Sequence, residues 1–201
     1  MNRRPPPSAR SPRASAATGT VRIVGGHWRG TRLPVADREG LRPTADRVRE
    51  TLFNWLQPML PGARVLDLFA GTGALGLEAV SRGAREAVLV ERDPALAASL
   101  RAVVARLPDG DRVRVANEDA LAWLRRSDAR FDLAFIDPPF AAGLWAPVLA
   151  ALPERLADAA WLYVESPADA APDPGAGWRL HREGRTRDVR YALYRRDPDP
   201  A

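Results

Sequence analysis

The chain has 201 residues, 46% of them apolar, enough for one ordinary domain with a tail or a small appendage. There is no cysteine, which excludes disulfides and thiolate metal sites, and with two histidines, His27 and His181, the sequence speaks against a zinc centre, so no metal is expected. The net charge of +5 is carried by arginine without any lysine, and it is segregated: residues 1–20 hold four Arg and no acid, 21–57 seven Arg and four acids, 179–196 seven Arg and two acids, and 58–178 twelve Arg and seventeen acids.

An acidic centre between basic ends fits ends that meet a polyanion; a GC-rich genome would explain the missing lysine but not the segregation. No apolar run approaches ~20 residues, and the N-terminus offers arginine and proline in place of an apolar signal core. The expectation is a soluble, cytoplasmic monomer without a membrane partner.

Residues 1–20 have almost nothing to bury and read as a disordered tail. Val21–Val24 and Thr31–Leu33 alternate around Gly25-Gly-His-Trp-Arg-Gly30, which predicts a hairpin within 21–40 with a wide, basic tip. There Trp28, between His27 and Arg29, offers stacking and charge to unpaired bases. Arg32 and Arg42 extend this set of candidate RNA contacts. Thr44 then caps a helix that ends before Pro58, with Ala45, Val48, Leu52, Trp55 and Leu56 as its buried stripe. Asp46, Arg47, Arg49, Glu50 and Asn54 fall off that stripe and read as solvated, with Arg47 and Thr51 beside a cofactor carboxylate as the sharper alternative.

The chain is organised around Arg64-Val-Leu-Asp67-Leu-Phe-Ala-Gly71-Thr-Gly73-Ala-Leu-Gly76. The apolar run is too short for a core helix and reads as a buried strand; Leu75, Leu77, Ala79 and Val80 continue as a helix, with Gly83 at its C-terminal cap. Gly71 and Gly73 between them make either an ordinary strand-to-helix turn or a loop whose backbone approaches a ligand. The Gly71, Gly73, Gly76 spacing is that of a dinucleotide turn, which brings a pyrophosphate to a helix N-terminus. Glu91, 20 positions after Gly71 and at the end of the Ala87–Val90 run, can hold both ribose hydroxyls. Asp67, however, is an additional acid at the mouth of the loop, where it repels a pyrophosphate and attracts a cation. S-adenosyl-L-methionine carries an ammonium and a sulfonium and no phosphate, so Asp67 tips the reading from a nicotinamide cofactor to this methyl donor. Phe69 in the loop and Arg92 after Glu91 join the candidate cofactor contacts.

Asp93 and Pro94 begin the next helix, with Leu96, Leu100, Val103, Val104 and Leu107 as its core face. Arg112–Val115 is a third strand and leads to Asn117-Glu-Asp119-Ala120. Asp119 either accepts from an adenine amine, with Ala120 beside it, or caps the helix that follows. Phe131–Ile136 is a fourth strand, residues 144–157 read as a helix that Pro153 kinks or breaks, and Trp161–Glu165 is a fifth strand. Trp178–His181 and Val189–Tyr194 form a closing pair around an arginine-rich turn. Strands alternating with helices give an α/β fold with a doubly wound sheet.

Asp137-Pro138-Pro139-Phe140 closes the fourth strand, where open α/β sheets put ligands. The prolines hold Asp137 and Pro138 extended and remove two backbone donors, leaving the carboxylate and the Pro138 carbonyl as fixed acceptors. Those acceptors beside the Phe140 ring suit an exocyclic amine on a planar base: they bind its hydrogens and direct its lone pair at a methyl sulfonium. A rigid turn with Phe140 in the core is the plainer reading of the tetrapeptide taken alone. The glycine loop and the acid-ended second strand before it favour catalysis.

These motifs, with Leu41-Arg-Pro-Thr-Ala-Asp-Arg-Val-Arg-Glu-Thr-Leu-Phe-Asn-Trp55 and Tyr163-Val-Glu-Ser166, make residues 21–195 resemble the bacterial small-subunit (16S) ribosomal RNA guanine-N2 methyltransferase family. The Leu41–Trp55 run is specific to that family, whereas the glycine loop is common to most class I methyltransferases. The resemblance implies a Rossmann-like, mostly parallel seven-stranded sheet with an antiparallel last strand behind the N-terminal hairpin, over residues 41–196. It implies methyl transfer from S-adenosyl-L-methionine to the N2 amine of one guanine in 16S ribosomal RNA, with a partly or fully assembled small ribosomal subunit as substrate. The tail has no counterpart in the family, and Arg187 stands where its final hairpin has a glycine. Adenine-N6 methylation, a nicotinamide-dependent oxidoreductase and a non-catalytic RNA-binding protein on a vestigial fold are the alternatives.

Overall fold

The computed structural model describes residues 19–35 and 46–197, without the Asp46 side chain. Most of the tail, Arg42 and the Thr44 cap lie outside the described residues. Two short strands, β1 (Gly19–Arg22) and β2 (Arg32–Val35), pair antiparallel, and α1 (Asp46–Leu56) follows. The alternating part is β3 (Arg64–Asp67), α2 (Ala74–Ser81), β4 (Glu86–Glu91), α3 (Pro94–Val104), β5 (Val113–Asn117), α4 (Ala120–Arg126), β6 (Phe131–Ile136) and α5 (Trp145–Ala151). Three long strands close the chain: β7 (Leu156–Pro167), β8 (Trp178–Arg185) and β9 (Val189–Arg196).

The seven-stranded sheet has the order β5-β4-β3-β6-β7-β9-β8, with β3 to β7 parallel and β9 antiparallel to both of its neighbours. The order turns back between β3 and β6, so a crevice opens at the carboxyl ends of those two strands. α2 is buried at all eight positions, as a helix apolar nearly all round must be. It lies so close to the sheet that a Cβ on Gly76 would overlap the Leu89 side chain. Asp93 accepts from the Ala95 and Leu96 amides at 2.8 and 3.0 Å, and so starts α3 as its sequence predicts. Arg187 closes the last turn without strain: Asp109 is the one non-glycine at positive φ among the described residues.

Some expectations moved. The hairpin strands lie two residues outward of their predicted spans at the ends away from the tip, so Gly19 and Thr20 belong to β1 and not to a tail. The predicted 144–157 helix stops at Ala151, and a 3-10 turn over Pro153–Arg155 leads straight into β7. Ala157-Asp-Ala-Ala160, early in β7, has little β-propensity and falls where the pairing to β6 shifts register, from Phe131 opposite Leu156 to Leu133 opposite Trp161. Arg49 is not solvated but 0% exposed, and its Nη2 donates to the Arg22 carbonyl at 2.8 Å. The α1 stripe is one residue wider than predicted because Arg49 and Phe53 turn inward with Val48 and Leu52.

The hairpin is part of the same apolar cluster as the sheet, through Val21, Ile23, Trp28 and Leu33. Its glycine-rich tip is clamped to the end of α2. Glu78, fully buried, accepts from the Val24 amide at 2.8 Å and from Arg82 Nε at 2.6 Å. Ser81 Oγ accepts from the Trp28 amide at 2.9 Å and donates to the Gly25 carbonyl at 2.5 Å. Gly26, at φ +74°, sits where a Cβ would overlap the Ser81 carbonyl. The reading of Trp28 as a stacking platform is corrected: it is 4% exposed and its Nε1 donates to the Pro108 carbonyl at 2.9 Å. Its polar neighbours suggested an exposed tip, but the ring is the anchor. Trp28→Ala should therefore cost about 3 to 5 kcal/mol of stability, as loss of a buried aromatic does. Urea unfolding is the check; an unchanged midpoint would mean that the ring contributes nothing to the core.

Candidate active site

Strand alternation sets the chemistry of the crevice. Val65, Leu89, Phe135 and Tyr163 all belong to the cluster on the α1 and α2 side of the sheet. Residues two further along point the same way. Those residues are Asp67, Glu91, Asp137 and Glu165, so four neighbouring strands each present an acid on one face at their carboxyl ends.

Asp67 is buried, and its Oδ2 accepts from the Gly76 amide at 3.0 Å. Burial pushes its carboxyl up from an ordinary value of 3.8 to about 7, with Glu91 adding to the rise and the Gly76 and Phe69 amides opposing it. Glu91 spans the glycine loop: Oε2 accepts from the Gly71 amide at 2.9 Å and Oε1 from the Asp93 amide at 2.7 Å. Gly71 and Gly73, at φ +52° and +78°, hold the left-handed turn that only glycine adopts without penalty. Pro34 of the hairpin meets Gly71 and Thr72 across a small cavity also lined by Leu96 and Leu100, so the hairpin abuts the loop.

On the other side of the crevice Asp137 keeps some solvent contact, but the desolvation around its carboxyl dominates and holds its pKa well above the usual range, with Glu165 and then Asp67 adding to the effect. Pro138 is buried, and the Pro139 carbonyl accepts from the Ala142 amide at 2.9 Å, which curls the loop after Phe140. The Phe140 ring lies 5.9 Å from Trp145, tilted by 43°, and Trp145 Nε1 donates to the Glu165 carbonyl at 2.9 Å. Tyr163 donates its hydroxyl to Glu165 Oε2 at 2.8 Å; burial, then Glu165 and Asp137, push its own pKa well up, so it stays a donor.

The structure therefore brings Asp67, Phe69, Gly71, Gly73, Glu91, Asp137, Pro138, Pro139 and Phe140 to one crevice. Asp119 caps α4 by accepting from the Ala122 amide at 3.0 Å, and buried Ala120 begins that helix. Arg92 is exposed. Arg47 is exposed too, and Thr51 Oγ1 donates to the Arg47 carbonyl at 2.9 Å within α1. His27, Arg29 and Arg32 are exposed on the hairpin. Sequence reasoning missed Glu165 and Tyr163 as site residues. Their signal was present: an acid ending the strand beside β6, with a tyrosine two positions before it on the same face.

The residues fit a ligand that is cationic at one end and carries hydroxyls nearby. A desolvated acid row gains from a positive charge, and each Glu91 oxygen accepts one amide and retains a lone pair for a hydroxyl. Among the described residues no group of His, Asp and Glu could hold a metal ion, and no helix is long and apolar enough to cross a membrane.

The strand order, the glycine loop and the acid-ended second strand define the class I methyltransferase fold. The family model described as Conserved hypothetical protein 95 matches residues 21–195. The Escherichia coli protein named ribosomal RNA small subunit methyltransferase D is 47% identical over 90% of this chain and 93% of its own length. The Haemophilus influenzae protein of the same name is 41% identical over 89% and 95%. A solved structure from Escherichia coli, described as a candidate methyltransferase, superposes with a TM-score of 0.81 at 46% identity, covering 89% of this chain and 99% of that one. The chain belongs to this family of methyltransferases.

The raised Asp67 carboxyl has a thermodynamic consequence. A proton held more tightly in the folded state gives stability that is full below about pH 4 and is lost as pH rises towards 7. The displacement from 3.8 to about 7 corresponds to about 4 kcal/mol across that window. Asp67→Asn does not titrate and can still accept from Gly76, so relative to the parent it should gain stability from pH 4 to 7. Denaturant midpoints across that range test this; a constant difference would show that Asp67 ionises normally.

Proposed function

We propose that the chain transfers a methyl group from S-adenosyl-L-methionine to the N2 amine of a guanine in 16S ribosomal RNA, acting as a monomer on a partly or fully assembled small subunit. The observation that carries this reading is the Asp137-Pro-Pro-Phe140 loop at the switch point of the sheet, on the same face as the acid row. The relatives' names supply the ribosomal RNA of the small subunit.

The methyl donor supplies an electrophilic methyl on a positively charged sulfur. Asp67 would meet its ammonium and Glu91 its ribose hydroxyls. Asp137 and the Pro138 carbonyl would accept the hydrogens of the target amine and turn its lone pair towards the methyl. As the N–C bond forms and the S–C bond breaks, the amine becomes acidic and sheds a proton. A carboxylate whose basicity is raised by burial and by neighbouring acids is suited to receive it. Phe140 offsets part of the few kcal/mol needed to unstack the base. Guanine is favoured because its N2–H and N1–H are both donors that one carboxylate tolerates, whereas adenine sets an acceptor beside its amine. Arg29 and Arg32, held rigidly by the docked hairpin, would contact phosphate.

Asp137→Ala should abolish turnover and leave donor binding intact, while Phe140→Ala weakens turnover less. Single-turnover methylation of small-subunit particles, with the product nucleosides identified by mass, is the measurement; N6-methyladenine, or full activity of Asp137→Ala, would reject the assignment. Donor affinity should also rise with pH through about 7, because a cation prefers ionised Asp67. Asp67→Ala should lose about tenfold or more, since a charged hydrogen bond contributes ~1.5 to 3 kcal/mol. Calorimetry at pH 6 and pH 8 would expose a flat response.

A further inference from the structure

The outer strand pair carries a second cationic surface. Arg179 of β8 stands opposite Arg195 of β9, which stands opposite Trp161 of β7, so the three share one sheet face. Arg182, opposite Leu193, lies on that face too, and the register shift between Leu180 and Arg182 turns His181 towards it. The His181 ring meets Trp161 edge-on at 4.9 Å, and the Arg195 guanidinium lies 5.7 Å over the Trp161 ring. All four basic side chains are exposed, and β8 is exposed along most of its length.

Three other charges of this segment, Glu183, Arg190 and Arg196, are engaged elsewhere. Glu183, on the opposite face, pairs with Arg190 at 2.7 Å, and Arg196 donates to the Pro153 and Leu156 carbonyls at 3.2 and 3.4 Å. Asp197 lies 3.3 Å from Arg179, an exposed pair that another anion can displace at little cost. Trp161 precedes Glu165 by four residues on β7 and so lies about 13 Å away on the same side of the sheet, with the buried Tyr163 and Leu193 between them. Level with Glu165, its partner Tyr191 stacks on Trp55 of α1 with centroids 5.6 Å apart.

We infer that Arg179, His181, Arg182 and Arg195, gathered about Trp161, hold the phosphate backbone of the RNA strand that leads away from the reacting base. This rests on the RNA methyl-transfer reading and adds where the flanking strand runs. A base drawn out of its stack needs its neighbours held, and cations on the face shared with the acid row are placed to do so. His181 is a built-in reporter: some burial, then Arg182, Arg179 and Arg195, keep its pKa below the ordinary value, and a phosphate among them reverses that field.

The probe is a short single-stranded RNA of mixed sequence, with affinity read by fluorescence anisotropy across roughly 50 to 200 mM salt. Arg182→Ala and Arg195→Ala should each flatten the salt slope by about 0.7, whereas Arg125→Ala on α4 should leave it unchanged. With saturating small subunits both β8/β9 variants should keep the parent's turnover and show a raised KM. The His181 resonances should titrate at higher pH when RNA is bound. Parental slopes in both variants, an unmoved His181, or equal loss of binding to polyglutamate with RNA binding unchanged would overturn the inference. Parental slopes beside normal methylation remove only this surface; flattened slopes in a protein whose parent methylates no RNA keep the surface and remove the methyl-transfer reading.

Discussion

Like charges placed where water is scarce set the terms for the rest of the structure. Asp67, Glu91, Asp137 and Glu165 end four neighbouring strands on one face, and their mutual repulsion adds to the cost of their burial. A protein tolerates this in two ways on view here. It lets the acids hold protons more tightly, the direction in which burial moves Asp67 and Asp137, and it spends backbone amides on them, as Gly76 does for Asp67 and Gly71 and Asp93 do for Glu91. Both leave the row unsatisfied in charge, and that is a standing preference for a cationic ligand.

The same amides make the glycine loop. Each glycine in it answers a different steric demand: Gly71 and Gly73 turn the chain through the left-handed region, and Gly76 lets α2 lie against Leu89. Because α2 also carries Glu78 and Ser81, the helix that starts at the loop is the one that grips the hairpin at its far end. Pro34 faces Gly71 and Thr72 across a small cavity, which places the near end of the hairpin beside the loop. The exposed arginines of the hairpin therefore stand at fixed positions relative to the crevice, not on a free arm.

Much of this was legible because it is local. A short apolar run ending in an acid, the glycine spacing, the Asp93-Pro94 cap and the Asp137-Pro-Pro-Phe140 loop each carry their structure within a few residues. What depended on distant partners was not legible. Trp28 reads as exposed beside His27 and Arg29 until Ser81 and Pro108, more than 50 residues away, give its polar atoms partners. Arg49 reads as solvated until the Arg22 carbonyl meets it inside the fold. Tyr163 and Glu165 stood in the sequence as a motif without a place in the site: an acid near a strand end and a tyrosine two positions before it are visible, but only the pairing of β7 with β6 brings Glu165 next to Asp137.

An acidic crevice and a polyanionic partner make an apparent contradiction, and the distribution of charge resolves it. Along the chain the positive excess lies in the N-terminal segment that contains the hairpin and in the closing strands, while the residues between are acidic. Surface arginines act over about a Debye length, ~8 to 10 Å, so cations on both flanks draw a polyanion in while the acids, partly protonated and recessed, oppose it only at close range. A bound cation in the crevice reduces that last opposition. Fewer uncompensated charges then face a phosphate strand, which is the condition that the proposed role of Asp137 as an acceptor from a base requires.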